Sequence, residues 1–169
     1  MTQKNSYCSY CGNRYEEHQP WPRTCSSCNK TTYQNPIPVA VVLVPVDHEL
    51  LVIRRNIEPR KGMLALPGGF IEVGESWRQG AKRELMEEVG IEISSESIKV
   101  FDVKSAPDGT VLIFGLTDRI GKEQIKLHPN SETQEIAFID RAQELGFPLH
   151  TEVVRQYFKG PSVSMPDHR

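Results

Sequence analysis

Between Val39 and Val46 the chain reads VAVVLVPV, apolar at every position, and after Asp47-His48 a second run, ELLVIRR, covers Glu49 to Arg55. Runs this short and this rich in β-branched residues predict two strands, the first buried on both faces and therefore central. The next stretch, NIEPRKGMLALPGG from Asn56 to Gly69, has no period and predicts a long irregular loop, a kind of segment that often carries function. The period then changes. Ala81, Leu85 and Val89 recur at helical spacing, Ser76 stands where an N-cap belongs, and Gly90 stands where a helix stops. IKVFDVKSA and TVLIFGLTDRI flank Pro107-Asp108-Gly109 as the strands of a hairpin, and EIAFID is a further strand. Pro148 opens a last helix that runs to about Lys159 and ends at Gly160, with Leu149, Val153, Val154 and Tyr157 on its buried side. Strands and helices mix without a βαβαβ rhythm. That predicts an α/β fold, an α/β/α sandwich on a mixed sheet.

The first 30 residues break this pattern, being polar and too few to form a core without a staple. They hold all four cysteines, as CSYC (Cys8, Cys11) and CSSC (Cys25, Cys28). Each C-x-x-C turn aims two thiolates at one ion, and two such turns complete a tetrahedron. The reading is therefore a small zinc ribbon with a structural Zn²⁺, four protein ligands leaving no open position. Two disulfides would need an oxidising compartment, and redox C-x-x-C motifs come singly in a βαβ setting. NKTTYQNPIP reads as a linker, so the expected division is ribbon and linker over 1–34, a main domain over 35–160 and a flexible tail over 161–169.

Charge adds mainly exclusions. Twenty Lys+Arg against 22 Asp+Glu argue against a general nucleic-acid or anionic-membrane binder. No apolar run approaches the length of a membrane span, and MTQKNSYCSY has no hydrophobic segment behind a basic start, so a cytoplasmic location is expected. The oligomeric state is open, a homodimer included.

One local arrangement of charge asks for an explanation. Glu84, Glu87 and Glu88 share a face of the first helix, and two of them lie in its last turn. There the macrodipole favours cations, so each Glu should cost roughly 0.3–1 kcal/mol, with mutual repulsion added. Lys82 and Arg83 could neutralise them on an ordinary solvated face, and on the helix alone that reading is evenly matched. The Gly-rich LPGGFIEVGE immediately before tips the balance, because it allows close backbone approach to a ligand. Carboxylate oxygens at helical spacing suit a hard cation whose shell is completed by substrate phosphates.

Gly69, Glu75, Arg83, Glu84, Glu87, Glu88 and Gly90, with Leu85 and Ile91 aliphatic, form G-x5-E-x7-R-E-U-x-E-E-x-G-U, which resembles the Nudix box. The resemblance implies a Nudix-type fold and Mg²⁺- or Mn²⁺-dependent cleavage of a nucleoside diphosphate linked to another moiety. By the same resemblance Glu87 and Glu88 would be the main metal ligands, with the carbonyl of Gly68 as a third. Glu84 would bind a second metal or orient the attacking water, Arg83 would hold Glu84, and Glu75 would pair with Arg83. Gly68, Gly69 and Glu75 would shape the loop at the substrate. Many family members use a further glutamate before a late strand. HPNSETQEIAFID offers Glu132, which suits the loop position, and Glu135, which suits the strand start. The general base is thus open among Glu84, Glu132 and Glu135.

A ribbon directly before such a domain is similar to the NADH pyrophosphatases and their shorter relatives. It implies ADP-ribose or a dinucleotide coenzyme (NADH, FAD) as substrate, with AMP released. No S-Q-P-W-P-F-P-x-S-like stretch follows the box, and QPWPR upstream is not equivalent. Two alternatives compete: a non-catalytic Nudix nucleotide sensor, against which the intact box speaks, and an RNA-cap-type hydrolase whose ribbon contacts RNA. Lys4, Arg14, Arg23 and Lys30 against Glu16 and Glu17 make only a weak basic excess for the latter. Arg54, Arg55, Arg60 and Lys61 could meet phosphates, though a solvated basic loop fits equally. Trp77 on a helix face suits packing better than base stacking. His18, His48, His128, His150 and His168 show no ligand spacing and are expected on the surface.

Overall fold

A computed structural model of the chain describes residues 4–125 and 131–160. The expected tail over 161–169, His128 and His168 lie outside the described residues. Two compact units divide the chain, Met1–Pro36 and Ile37–Arg169.

In the first unit β1 (Arg23–Thr24) pairs antiparallel with β2 (Thr31–Thr32). Each cysteine pair closes a tight turn: the Gly12 N–H donates to the Cys8 carbonyl and the Asn29 N–H to the Cys25 carbonyl, both at 2.9 Å. Gly12 and Asn29 sit at φ 74° and 57°, the left-handed region that Gly and Asn enter most readily. The core of this unit is Cys8, Tyr15 and Cys25, with Cys28 packed against them, which is too little apolar surface to hold a fold unaided.

The second unit has two sheets. β3 (Ile37–Leu43) is central to one, running parallel to β9 (Thr110–Leu116) and antiparallel to β7 (Gly68–Phe70), with β8 (Lys99–Ser105) beyond β9. The other holds β4 (Pro45–Val46), β5 (Glu49–Arg55), β6 (Leu64–Ala65) and β10 (Thr133–Ile139), with β5 pairing all three neighbours antiparallel. The apolar run from Val39 thus serves both sheets, passing from one to the other at Val44. Side chains alternate across it. Ala40, Val42 and Val44 join Leu51, Ile53, Ala81, Leu85 and Val89 in one core, while Val41 and Leu43 join Leu50, Val52, Phe114, Val153 and Val154 in another. The first core lies under α1 (Trp77–Val89) and the second under α2 (Pro148–Lys159). The α/β/α sandwich on a mixed sheet is therefore present.

Helix α1 is defined at both ends as its sequence predicts. The Ser76 hydroxyl accepts from the Gln79 N–H, the Gln79 side-chain oxygen accepts from the Ser76 N–H, and Gly90 closes the helix at φ 66°. Trp77 packs against the first core, as expected of an aromatic on a helix face.

Three expectations need correction. The predicted loop Asn56–Gly69 contains β6 and reaches into β7, because the edges of β5 and β3 offer backbone groups that need partners. Gly68 gave no strand signal, yet only glycine fits it: φ is 147° and a Cβ would lie 2.2 Å from the Ala40 carbonyl oxygen. The strand read as EIAFID starts earlier, at Thr133. His150, expected on the surface, is buried at the start of α2, since it occupies the same helical face as Val153 and Val154. No helix among the described residues is long and apolar enough to cross a membrane.

Candidate metal centres

The acidic face of α1 is not a solvated one. Glu84 and Glu88 are buried beside Leu85, whereas Glu87 is exposed. Their partners come from the chain segment that precedes the helix. The Gly68 N–H donates to a Glu88 carboxylate oxygen at 2.8 Å. Gly69 lies so close under Glu84 that a Cβ there would come within 2.4 Å of its carboxylate. The two glycines of LPGG thus let β7 slide beneath two carboxylates.

Arg83 ties the face together. Its guanidinium donates to both Glu75 oxygens at 2.8 and 3.3 Å, to Glu84 at 2.7 Å, to Glu87 at 3.2 Å and to the Phe70 carbonyl at 2.9 Å. The Glu75 carboxyl is accordingly held below the usual range by Arg83, and the Arg83 guanidinium is held above its own by Glu75. One arginine cannot neutralise four acids. Burial raises Glu84 against the pull of Arg83, and burial pushes Glu88 up to about 8 although the Gly68 N–H opposes it, with Glu84 and Glu132 adding repulsion.

Glu132 reaches this group from the segment before β10. With Glu84, Glu87, Glu88 and Ser131 it lines a cavity of about 320 Å³. Asn56 pins that segment, its N–H donating to the Glu132 carbonyl at 2.7 Å and its amide to the Ser131 carbonyl at 3.1 Å. Glu135 goes elsewhere: within β10 it stands opposite Arg54 and pairs with it at 2.7 Å. Of the four basic loop residues, Arg54 is thereby engaged and Arg55 donates to the Pro59 carbonyl while lying over the Phe147 ring. Arg60 borders a hollow beside Arg155, and Lys61 is exposed. Asn56 and Ser131 escaped the sequence reading, because polar loop residues carry no period. The burial of His150 was available from its i, i+3, i+4 relation to Val153 and Val154.

A shell of hard carboxylate oxygens, short of positive charge and bordering a cavity, fits a divalent cation such as Mg²⁺ or Mn²⁺. The sulfurs of Cys8, Cys11, Cys25 and Cys28 fit a softer one. They form, among the described residues, the group whose ligand atoms all lie within 4.8 Å of one another. Cys8 and Cys28 are 3.7 Å apart and Cys11 and Cys25 3.6 Å, all four being free thiols. A tetrahedron with bonds of about 2.3 Å has edges of roughly 3.8 Å, the separation expected around one zinc. Against the cost of burial, the N–H groups of Tyr10 and Cys11 pull the Cys8 thiol down to about 6, favouring the thiolate a metal requires.

The NUDIX domain family matches residues 35–157. Two curated relatives are each named NAD-capped RNA hydrolase NudC. That of Edwardsiella ictaluri is 33% identical over 94 residues, 55% of this chain and 36% of the relative. That of Shigella flexneri is 35% identical over 92 residues, 54% of this chain and 35% of the relative. This chain thus spans about a third of the length of these relatives. Among solved structures, a NUDIX hydrolase from Nitrosomonas europaea is similar at a TM-score of 0.72 and 25% identity, covering 91% of this chain and 90% of that one. A bifunctional NMN adenylyltransferase/ADP ribose pyrophosphatase from Francisella tularensis, complexed with AMP and a manganese ion, is similar at a TM-score of 0.54 and 26% identity, over 63% of this chain and 34% of that one.

Proposed function

The chain belongs to the NUDIX family, and on that footing we propose that it is a metal-dependent hydrolase of nucleoside diphosphates linked to another moiety. The substrate is ADP-ribose or a dinucleotide coenzyme such as NADH or FAD, cleaved within the diphosphate to release AMP. The observation that carries this reading is the convergence of Glu84, Glu87, Glu88 and Glu132 on one cavity. Glu87, Glu88 and the Gly68 carbonyl are the residues that would hold Mg²⁺ or Mn²⁺, with Glu84 serving a second ion. Such an ion, when bound, neutralises the diphosphate and lowers the pKa of a water.

The remaining work falls to the chain. Arg83 fixes the Glu84 carboxylate through a 2.7 Å bond while Glu75 fixes Arg83. Gly68 and Gly69, having no side chains, admit the diphosphate to the backbone. Glu132 takes the proton of the attacking water as its oxygen bonds to phosphorus. The bridging P–O bond then breaks, and the departing phosphate keeps the electron pair. The cysteines hold a structural Zn²⁺ in the first unit. The names of the relatives, one acting on NAD-capped RNA and one an ADP ribose pyrophosphatase, support an adenine-nucleotide diphosphate as substrate.

A second reading has its own observation. Tyr7 and Tyr10 are exposed on the cysteine module, and the Lys30 ammonium lies 4.9 Å from the Tyr10 ring centre, a pairing that could stack a base and meet a phosphate. The same bond would then be cut at the end of a NAD-capped RNA. The test is hydrolysis with Mg²⁺ or Mn²⁺ in ¹⁸O-labelled water, across ADP-ribose, NADH, FAD, NAD-capped RNA, dinucleoside polyphosphates and nucleoside triphosphates. The expected result is AMP from an ADP-containing diphosphate, lost in Glu88→Gln. Label in inorganic phosphate from a triphosphate, with ADP-ribose and the dinucleotides intact, overturns the proposal.

A further inference from the structure

A hollow of about 320 Å³ opens between the loop that follows β5 and the first turns of α2. Arg60 and Met63 line it from the loop, Glu144 and Gly146 from the segment before the helix, and Thr151 and Arg155 from α2. Two guanidiniums thus face one carboxylate, a surplus of one positive charge. Among the described residues neither Arg60 nor Arg155 forms an ion pair or a side-chain hydrogen bond, with Glu144 or with any other group.

The backbone that presents the two arginines is fixed. Arg55 donates to the Pro59 carbonyl and Arg54 to the Gly62 carbonyl, both at 2.9 Å, and the Gly62 N–H donates to the Arg55 carbonyl at 2.8 Å. Between these ties Arg60 takes φ 69°, a left-handed conformation that an arginine holds only where its surroundings impose it. Gly146 brings the second wall up to the first. Its N–H donates to the Leu64 carbonyl at 2.7 Å, and a Cβ there would stand 3.0 Å from that of Met63 and 3.3 Å from that of Arg60. The Thr151 hydroxyl then accepts from the Leu145 N–H at 2.9 Å, which ties this wall to α2 and so to Arg155.

Guanidiniums on a fixed backbone, with their donor forks unspent, match the oxygens of a phosphate. The hollow also adjoins the ground on which a nucleotide would lie. It shares Pro148 with a larger cavity of about 530 Å³, which Pro59, the neighbour of Arg60, lines as well. Gly68 and Gly69 of the candidate cleavage site border that larger cavity. A nucleotide with its diphosphate at these glycines can therefore send a second phosphate, carried on its ribose, past Pro148 to the arginine pair.

We propose that Arg60 and Arg155 form a phosphate subsite, which selects substrates whose adenosine carries a phosphate on its ribose. The inference rests on the diphosphate-cleaving reading above and narrows the substrate within it. The same chemistry has three sources: a 2′-phosphate, a 3′-phosphate, or the first 3′-phosphodiester of a capped RNA.

Titration calorimetry on the full chain separates them. The probes are AMP, adenosine 2′,5′-bisphosphate, adenosine 3′,5′-bisphosphate and the dinucleotide pApA. None contains a diphosphate, so none is cleaved and Mg²⁺ can be present throughout. The expected result is that at least one of the three extended probes binds about tenfold more tightly than AMP, and the tightest identifies the source. Arg155→Gln and Arg60→Gln should each remove most of that advantage, and Glu144→Gln should enlarge it. Both arginines are exposed, so the variants should fold, and Arg155→Gln carries the test even where the turn at Arg60 is disturbed. Extended probes that bind no better than AMP overturn the proposal. So does an advantage that survives in the double variant Arg60→Gln/Arg155→Gln, and so does the absence of binding by all four probes. The outcome is independent of turnover. AMP release from ADP-ribose without any advantage for the extended probes removes the subsite and leaves the cleavage reading. An advantage lost with the arginines, in a chain that hydrolyses no diphosphate, does the opposite.

Discussion

The cysteine quartet and the carboxylate cavity both concentrate negative charge, but they hold it differently. In the first unit two short turns bring four sulfurs to tetrahedral spacing, with almost no other core to support them. In the second, the carboxylates sit over a full hydrophobic core, Arg83 neutralises part of their charge, and burial keeps Glu88 protonatable up to about pH 8. A closed site with all its ligands local can be the fold's own staple. A site that must stay open to substrate cannot, so its charge is carried by a scaffold that is stable without it.

The largest effect should expose that contrast. The purified protein is expected to carry about one zinc per chain, and removing it with a chelator forfeits on the order of 10–16 kcal/mol of binding free energy. Amide resonances of residues 4–36 should then collapse while those of 37–125 and 131–160 persist. Unchanged resonances for the first unit after verified zinc loss would contradict the staple.

The carboxylate site should behave in the opposite sense. Glu88 has its carboxyl raised in the folded state, so its contribution to stability is fully present below about pH 4.5 and is lost as pH rises through about 8. Glu88→Gln keeps an acceptor for the Gly68 N–H and escapes that loss. Without added Mg²⁺ or Mn²⁺ the variant should therefore gain on wild type as pH climbs through this window, by up to about 4–5 kcal/mol. Urea titrations from pH 4 to pH 9 measure it, and a constant difference across the range would show that Glu88 carries no buried charge.

Glu132→Gln probes the open side of the same site. If Glu132 is the general base, turnover should fall roughly 10²–10⁴-fold, with the Mg²⁺ concentration for half-maximal rate moving less than in Glu87→Gln. A large shift in that concentration at unchanged maximal rate would make Glu132 a ligand instead. The smallest effect belongs to the helix that carries the carboxylates. Ser76→Ala removes the cap to Gln79 and should cost about 1 kcal/mol, read as a lower melting temperature with kcat unaltered.

Much of this was legible in the chain because it depends on neighbours in sequence. Helix α1 ends where Ser76 and Gly90 stand, and Glu84, Glu87 and Glu88 share a face by helical period alone. Other features had no local signal. Gly68–Phe70 became a strand because β3 needed an edge partner. Glu132 and Glu135, three residues apart, separated in role because Asn56 holds one at the cavity and Arg54 takes the other. His150 carried a helical stripe with Val153 and Val154 that pointed inward, but its identity as a histidine argued for the surface.

By itself the sequence determined the elements, the two clusters of candidate ligands and the family motif, since spacing along a helix or across a C-x-x-C turn sets which groups can face one way. Only the tertiary structure decided that two of the three helix glutamates are buried, that Arg83 holds five oxygens of four residues, and that His150 is buried. Those outcomes depend on desolvation and on partners far away in the chain. Both are properties of packing and have no period to read.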